Sequence, residues 1–218
     1  MEQVRRDARR ARASGEAHGL DRVLAFGDAV VAIAITLVVL PVVDRALDAG
    51  SAREFFAESW GTLAPAGISF VVIALFWRVH HWLFLPATGY SGTVLQLEML
   101  WLASIVALPV ATVLDFTSGG GDRLALGVYI GLMLVSSLTL RAERAVLVHQ
   151  GFLDDDPTET VVDRWVGAVL LAVALVLAVL FPDQGAAWLL VLLLERPIRA
   201  VGGRRRQPAA PSPSSGGT

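Results

Sequence analysis

Residues 22–41 read RVLAFGDAVVAIAITLVVLP. The apolar run that this stretch belongs to, Val23 to Val43, is about 20 residues long, the length an α-helix needs to cross a bilayer. It opens on Arg22 and carries Asp28 inside it. At 1.5 Å per residue the carboxylate lies roughly 9 Å deeper along the helix than the guanidinium. An ionised group inside a span costs on the order of 3 kcal/mol on insertion scales, so Asp28 should face protein or water rather than lipid. The stretch therefore predicts a membrane helix held to a neighbour by a polar contact.

The rest of the chain agrees with a membrane protein. Of its 218 residues 55% are hydrophobic and only 17% charged, and the mean hydropathy is +0.60. A soluble domain carries closer to a quarter charged residues. No cysteine occurs, which excludes disulfides, thiolate metal sites and thiol nucleophiles. The first apolar run is too long for a signal peptide, whose core is about 7–15 residues, and reads as a retained span.

Five more apolar runs follow. They cover Trp60–Val79, Val94–Leu114, Leu124–Leu140, Trp165–Phe181 and Ala186–Val201. The first run is expected to end at Pro41 and to pass into a charged loop, Asp44 to Glu58. Gly89-Tyr90-Ser91-Gly92, Ser118-Gly119-Gly120-Gly121 and Pro182-Asp183-Gln184-Gly185 mark turns. A longer polar loop is expected up to Asp163. In it Asp156-Pro157-Thr158-Glu159 reads as a helix start, with Asp as cap and Pro at the first position. The sixth run is interrupted by Glu195, Arg196, Pro197 and Arg199 and is expected to be short or partly interfacial. The expected organisation is an arginine-rich cytoplasmic segment over 1–21, an all-α bundle of six transmembrane helices over 22–201, and a disordered cytoplasmic tail over 202–218.

Six spans put both ends on one side. All 18 basic residues are arginine, and only Arg45, Arg53 and Arg123 fall in the segments opposite the termini. The positive-inside rule then places both termini in the cytoplasm of a multi-pass cell-membrane protein. The same arginines could mimic a nucleic-acid patch. Beside spans they read as topology signals or contacts to anionic lipid, and no nucleic-acid partner is expected.

On a helical wheel Asp28 falls with Asp21, Ala25 and Ala32, small neighbours that let another helix approach. The second span ends in Trp77-Arg78-Val79-His80-His81, at about the depth of Arg22 and Asp28. Helices joined by one loop are usually neighbours, so an Asp–His or Asp–Arg contact is expected. Adjacent His80 and His81 point to different faces, and no HExxH motif occurs. A zinc site, or any cofactor, is therefore not expected. A second stripe, Phe26, Ala29, Ile33, Leu37 and Leu40 with Thr36 at its border, spans an arc of roughly 80°. Such a stripe either packs against neighbours and lipid or lines a pore that gates by dewetting.

Arg22-x-x-x-Phe26-Gly27-Asp28, followed by Ala32-Ile33-Ala34-Ile35-Thr36-Leu37, resembles the R-x-x-x-F-S-D signature of the transmembrane protein 175 family. Trp77-x-x-His80-His81 is similar to that family's W-x-x-H-H element, and Leu100-Trp101-Leu102 and Pro109 are similar too. The chain departs from the family at Gly27, where a serine is usual, and at Leu102, where a polar residue is expected. The resemblance implies a single-repeat bacterial member of a group of potassium-permeable channels. It implies a homotetramer in the lipid bilayer, with the first helix lining a central pore through which potassium ions pass passively. It also implies a constriction at Ile33, Thr36, Leu37 and Leu40, and an inter-helix polar network of Arg22, Phe26, Asp28, Trp77, His80 and His81. The alternative is a proton-coupled transporter or proton pathway that uses Asp28 with His80 or His81. An enzyme is not expected, since no nucleophile–base pair lies within the spans.

Overall fold

The computed structural model describes residues 1–117, 122–155 and 161–180; of residues 2, 4–17, 115–117, 161–164 and 178–179 it describes only the backbone. Among the described residues the fold is all-helical and has no strand. Its elements are α1 (Glu2–Asp48), α2 (Ala52–Glu58), α3 (Trp60–Phe84), α4 (Gly92–Thr117), α5 (Arg123–His149) and α6 (Val161–Leu180). Four of them contain stretches long and apolar enough to cross a membrane: His18–Asp48, Trp60–Phe84, Gly92–Leu114 and Arg123–His149. In α6 the apolar part is shorter, Trp165–Leu177. The helix start expected at Asp156, the expected run 186–201 and the tail lie outside the described residues.

The helices are longer than the apolar runs that announce them. α1 has 47 residues, or about 70 Å, more than twice the ~30 Å thickness of a bilayer's hydrocarbon core. The arginine-rich segment and the first span are thus one helix. That helix does not stop at Pro41 but runs on to Asp48. Proline has no N–H, so the Leu37 carbonyl loses its usual donor there, a loss that helices in membranes tolerate. The expected charged loop is in fact the end of α1 followed by α2, whose Ser51 cap accepts a hydrogen bond from the Glu54 amide at 3.2 Å.

α5 likewise passes Leu140 and continues to His149. Its last turns are amphipathic: Leu140, Glu143 and Leu147 are all buried on one face. The helix closes in a Schellman motif. The Phe152 amide donates to Leu147 O at 2.9 Å and the Gly151 amide to Val148 O at 3.1 Å. Gly151 has φ +75°, which glycine adopts without steric cost. The turn folds Phe152 back onto a small core of Leu20, Phe84, Val94 and Leu147, where its carbonyl accepts from the Thr88 amide at 2.9 Å. One end of the bundle, where α3 turns into α4, is closed this way.

The main core lies between α3, α4 and α5 and contains Ile73, Trp101, Ile105, Leu108 and Ile130, all fully buried. Buried hydroxyls bind these helices at mid-depth. Ser69 Oγ on α3 lies 2.7 Å from Thr112 Oγ1 on α4 and donates to the Tyr129 hydroxyl on α5 at 3.2 Å. Ser104 on α4 donates to Trp101 O at 2.7 Å and lies 2.6 Å from Ser136 Oγ on α5. A hydroxyl has one proton, so Ser136 is the donor in that pair. Such bonds hold helices together where lipid offers no hydrophobic drive. α6 packs on α5, and α1 lies in the groove between α3 and α4.

Candidate functional site

The groove leaves most of α1 uncovered. Its buried residues, among those described, are Leu20, Gly27, Val31, Ala34 and Val38, an arc of only about 60° on the wheel. The face expected to pack, Ala25, Asp28 and Ala32, is exposed instead. Asp28 lies about 90° to one side of the centre of the buried arc, and the centre of the stripe lies about 130° to the other side. In the stripe Phe26 is 54% exposed, Ile33 61%, Leu37 43% and Leu40 53%. No part of the described chain covers it. Thr36 is also exposed, and its hydroxyl donates to Ile33 O one turn back at 2.7 Å.

Asp28 finds its companion on α3, but not the expected one. The Trp77 indole Nε1–H donates to Asp28 Oδ1 at 2.8 Å. The other ring on that surface is His81, stacked on Trp77 with centroids 5.6 Å apart. Among the described residues Trp77 is the side chain bonded to this carboxylate, while Arg22 and Arg78 are both exposed. His80 points the other way, so the polar residues that sequence placed in one network divide into two.

The second group is fully buried. His80 Nε2 lies 2.8 Å from Glu98 Oε2 on α4, and the two side chains are 2% and 1% exposed. Glu143 on α5, 0% exposed, joins them, so that one ligand atom from each of the three lies within 4.8 Å of the others. Glu98 Oε1 and both Glu143 carboxylate oxygens have no hydrogen-bond partner. The Trp101 indole lies flat on the His80 ring, with centroids 4.2 Å apart and planes 8° apart, and Phe84 packs against the ring's other surroundings at 4.8 Å. Two bare carboxylates ~4.8 Å apart repel by about 3–4 kcal/mol even at an effective dielectric near 20. The cluster thus requires positive charge, as a proton on one of its groups or as a bound cation.

Neither glutamate was singled out by the sequence reading. The signal was present, since Glu98 lies in the first turns of an apolar run and an ionisable residue there marks a candidate site. Glu143 was harder to find, because the run was expected to end at Leu140.

α1 touches this cluster through Gly27. A Cβ there would lie 2.9 Å from Glu98 Oε1 and 3.8 Å from Leu102 Cδ2. The glycine therefore permits α1 to rest directly against an unpartnered carboxylate oxygen. Alanine and serine add the same Cβ, so comparing them isolates the hydroxyl. Gly27→Ser is expected to be more stable than Gly27→Ala by about 1.5–3 kcal/mol, the worth of a hydrogen bond to a charged acceptor. Thermal unfolding in detergent measures the difference, and equal melting temperatures would show that Glu98 Oε1 does not accept from that position.

Comparison with known proteins gives two matches. The family model described as endosomal/lysosomal potassium channel TMEM175 matches residues 22–109, from Arg22 to Pro109. A potassium channel of Streptomyces collinus (strain DSM 40733 / Tue 365) is 32% identical over 138 residues, which cover 62% of this chain and 67% of the relative. No solved structure matches the chain. The matched segment holds the α1 signature, Trp77, His80 and Glu98, while Glu143 falls beyond it. This chain belongs to the TMEM175 family.

Proposed function

We propose that the chain is a potassium-permeable channel in which α1 helices from four subunits enclose the pore. The observation that carries this reading is the uncovered α1 stripe, joined to a family and a relative both described as potassium channels. One helix per chain cannot surround a channel, so the pore requires several copies. Four copies of α1 facing one axis would stack rings of Ile33, Leu37 and Leu40, and rings of apolar side chains close a narrow pore by expelling water. Thr36 supplies the one hydroxyl on this face. Its proton is held by Ile33 O, which leaves the oxygen's lone pairs for a cation.

The opposite side of α1 has a holding role. The Trp77–Asp28 hydrogen bond and the Gly27–Glu98 contact seat α1 against α3 and α4. Both are at the end of the bundle that the arginine distribution assigns to the cytoplasm of the cell membrane. The proton-relay alternative has less support, because Asp28 is bonded to an indole, which neither gains nor loses a proton near neutral pH, and His80 is engaged by Glu98.

Reconstitution into liposomes with a potassium gradient tests the function. The channel reading expects potassium flux that needs no proton gradient. Flux that stops when the proton gradient is collapsed would favour the transporter.

A further inference from the structure

We infer that His80, Glu98 and Glu143 form a binding site for one divalent transition cation, of which zinc and manganese are the closest chemical fits. The inference does not rest on the channel reading. It goes against the sequence-based expectation of no metal, which considered the histidines without the two glutamates.

Three features of the cluster carry it. The first is the ligand set. One imidazole nitrogen and two carboxylate oxygens, brought from α3, α4 and α5, suit borderline divalent metals. The second is the state of the oxygens. Of the four carboxylate oxygens, three have no hydrogen-bond donor, and the residues that bear them are 0% and 1% exposed. A single added proton satisfies one of these oxygens, whereas a divalent cation can be shared by both carboxylates and offsets both charges. The third is geometry. Ligands of one tetrahedral zinc lie ~3.3 Å apart. The three ligand atoms lie within 4.8 Å of one another, so rotation about the glutamate side-chain bonds by about 1.5 Å or less completes the site.

On binding, the cation takes the place of the proton between His80 Nε2 and Glu98 Oε2, and that proton leaves to solvent. The imidazole stays oriented by the Trp101 face. Three helices are then tied at the level where Gly27 of α1 rests on Glu98. A site this deep fills as the helices assemble, so the ion is structural and should stay through purification.

The test uses the full chain without an affinity tag, purified in detergent. Elemental analysis is expected to find about one zinc or manganese per chain. Chelation during thermal unfolding is expected to lower the melting temperature, and added Zn²⁺ or Mn²⁺ to restore it, by about 5–10 °C at a hundredfold excess over Kd. Glu143→Gln should lose both the metal and the response. Should that variant fail to fold, His80→Gln serves, since it keeps a donor toward Glu98 and removes the imidazole ligand. A wild-type chain with no stoichiometric metal and no response to either ion would overturn the site. So would variants that keep the metal and the response, which would assign the ion to other residues.

Discussion

Ile33→Asn is expected to raise potassium flux through reconstituted protein roughly tenfold or more, equivalent to about 1.4 kcal/mol off the barrier. The reason is the physics of a dry constriction. Ile33 is the most exposed large side chain of the α1 stripe at 61%. Rings of branched apolar side chains a few ångströms apart give water no partners, so the pore empties and an ion must shed its shell to pass. An amide at the same height supplies donors and acceptors and rewets the ring. Ile33→Phe keeps the ring apolar, adds bulk and is expected to lower flux. Val110, on α4, is also 61% exposed but lies off the stripe, and Val110→Ala should leave flux unchanged. Equal flux in wild type and in both Ile33 variants would remove this residue from the proposed constriction.

Trp101→Ala is the substitution expected to cost the most stability, about 3–5 kcal/mol, the range for removing a fully buried tryptophan. Trp101 is 0% exposed and supports the His80 ring across 4.2 Å. Its loss opens a cavity beside the His80–Glu98–Glu143 cluster and frees the imidazole to turn. Trp101→Phe separates the two effects. The indole Nε1–H is buried without an acceptor, and an unmade hydrogen bond of this kind costs about 1–3 kcal/mol. Phenylalanine removes that group while it keeps an aromatic face. It is therefore expected to cost about 1 kcal/mol or less, because the lost area and the relieved N–H offset each other. Thermal unfolding of both variants checks this. A Phe variant as unstable as the Ala variant would mean that the indole nitrogen is satisfied in the native state.

Much of this was legible in the sequence. Membrane spans announce themselves by length and hydropathy, and the starts of α3, α4 and α5 lie within two residues of the apolar runs. Their ends were less legible, because hydropathy marks where lipid contact ends and not where the helix ends. α5 continues for nine residues past Leu140 since Arg141 and Arg144 lie off a face on which Leu140, Glu143 and Leu147 are buried. That Asp28 meets the end of the second span followed from depth alone. Which residue meets it did not, since Trp77, Arg78, His80 and His81 all occur within little more than one helical turn and depend on rotation for their direction. The buried cluster was out of reach for a related reason. Its members are 18 and 45 residues apart along the chain, each is a lone charge on its own helix, and only the packing of α3, α4 and α5 shows that they share one place.

The absence of cysteine from the chain makes the central claim open to a direct measurement. A single Ile33→Cys substitution puts one thiol per subunit, and no other, on the α1 stripe. If that stripe faces a shared axis, mild oxidation will link subunits into disulfide-bonded dimers and alter potassium flux, and reduction will reverse both. Val110→Cys, equally exposed on α4, will do neither. Ile33→Cys protein that stays monomeric on denaturing gels after oxidation, with flux unaltered, would place the stripe against lipid and contradict the account.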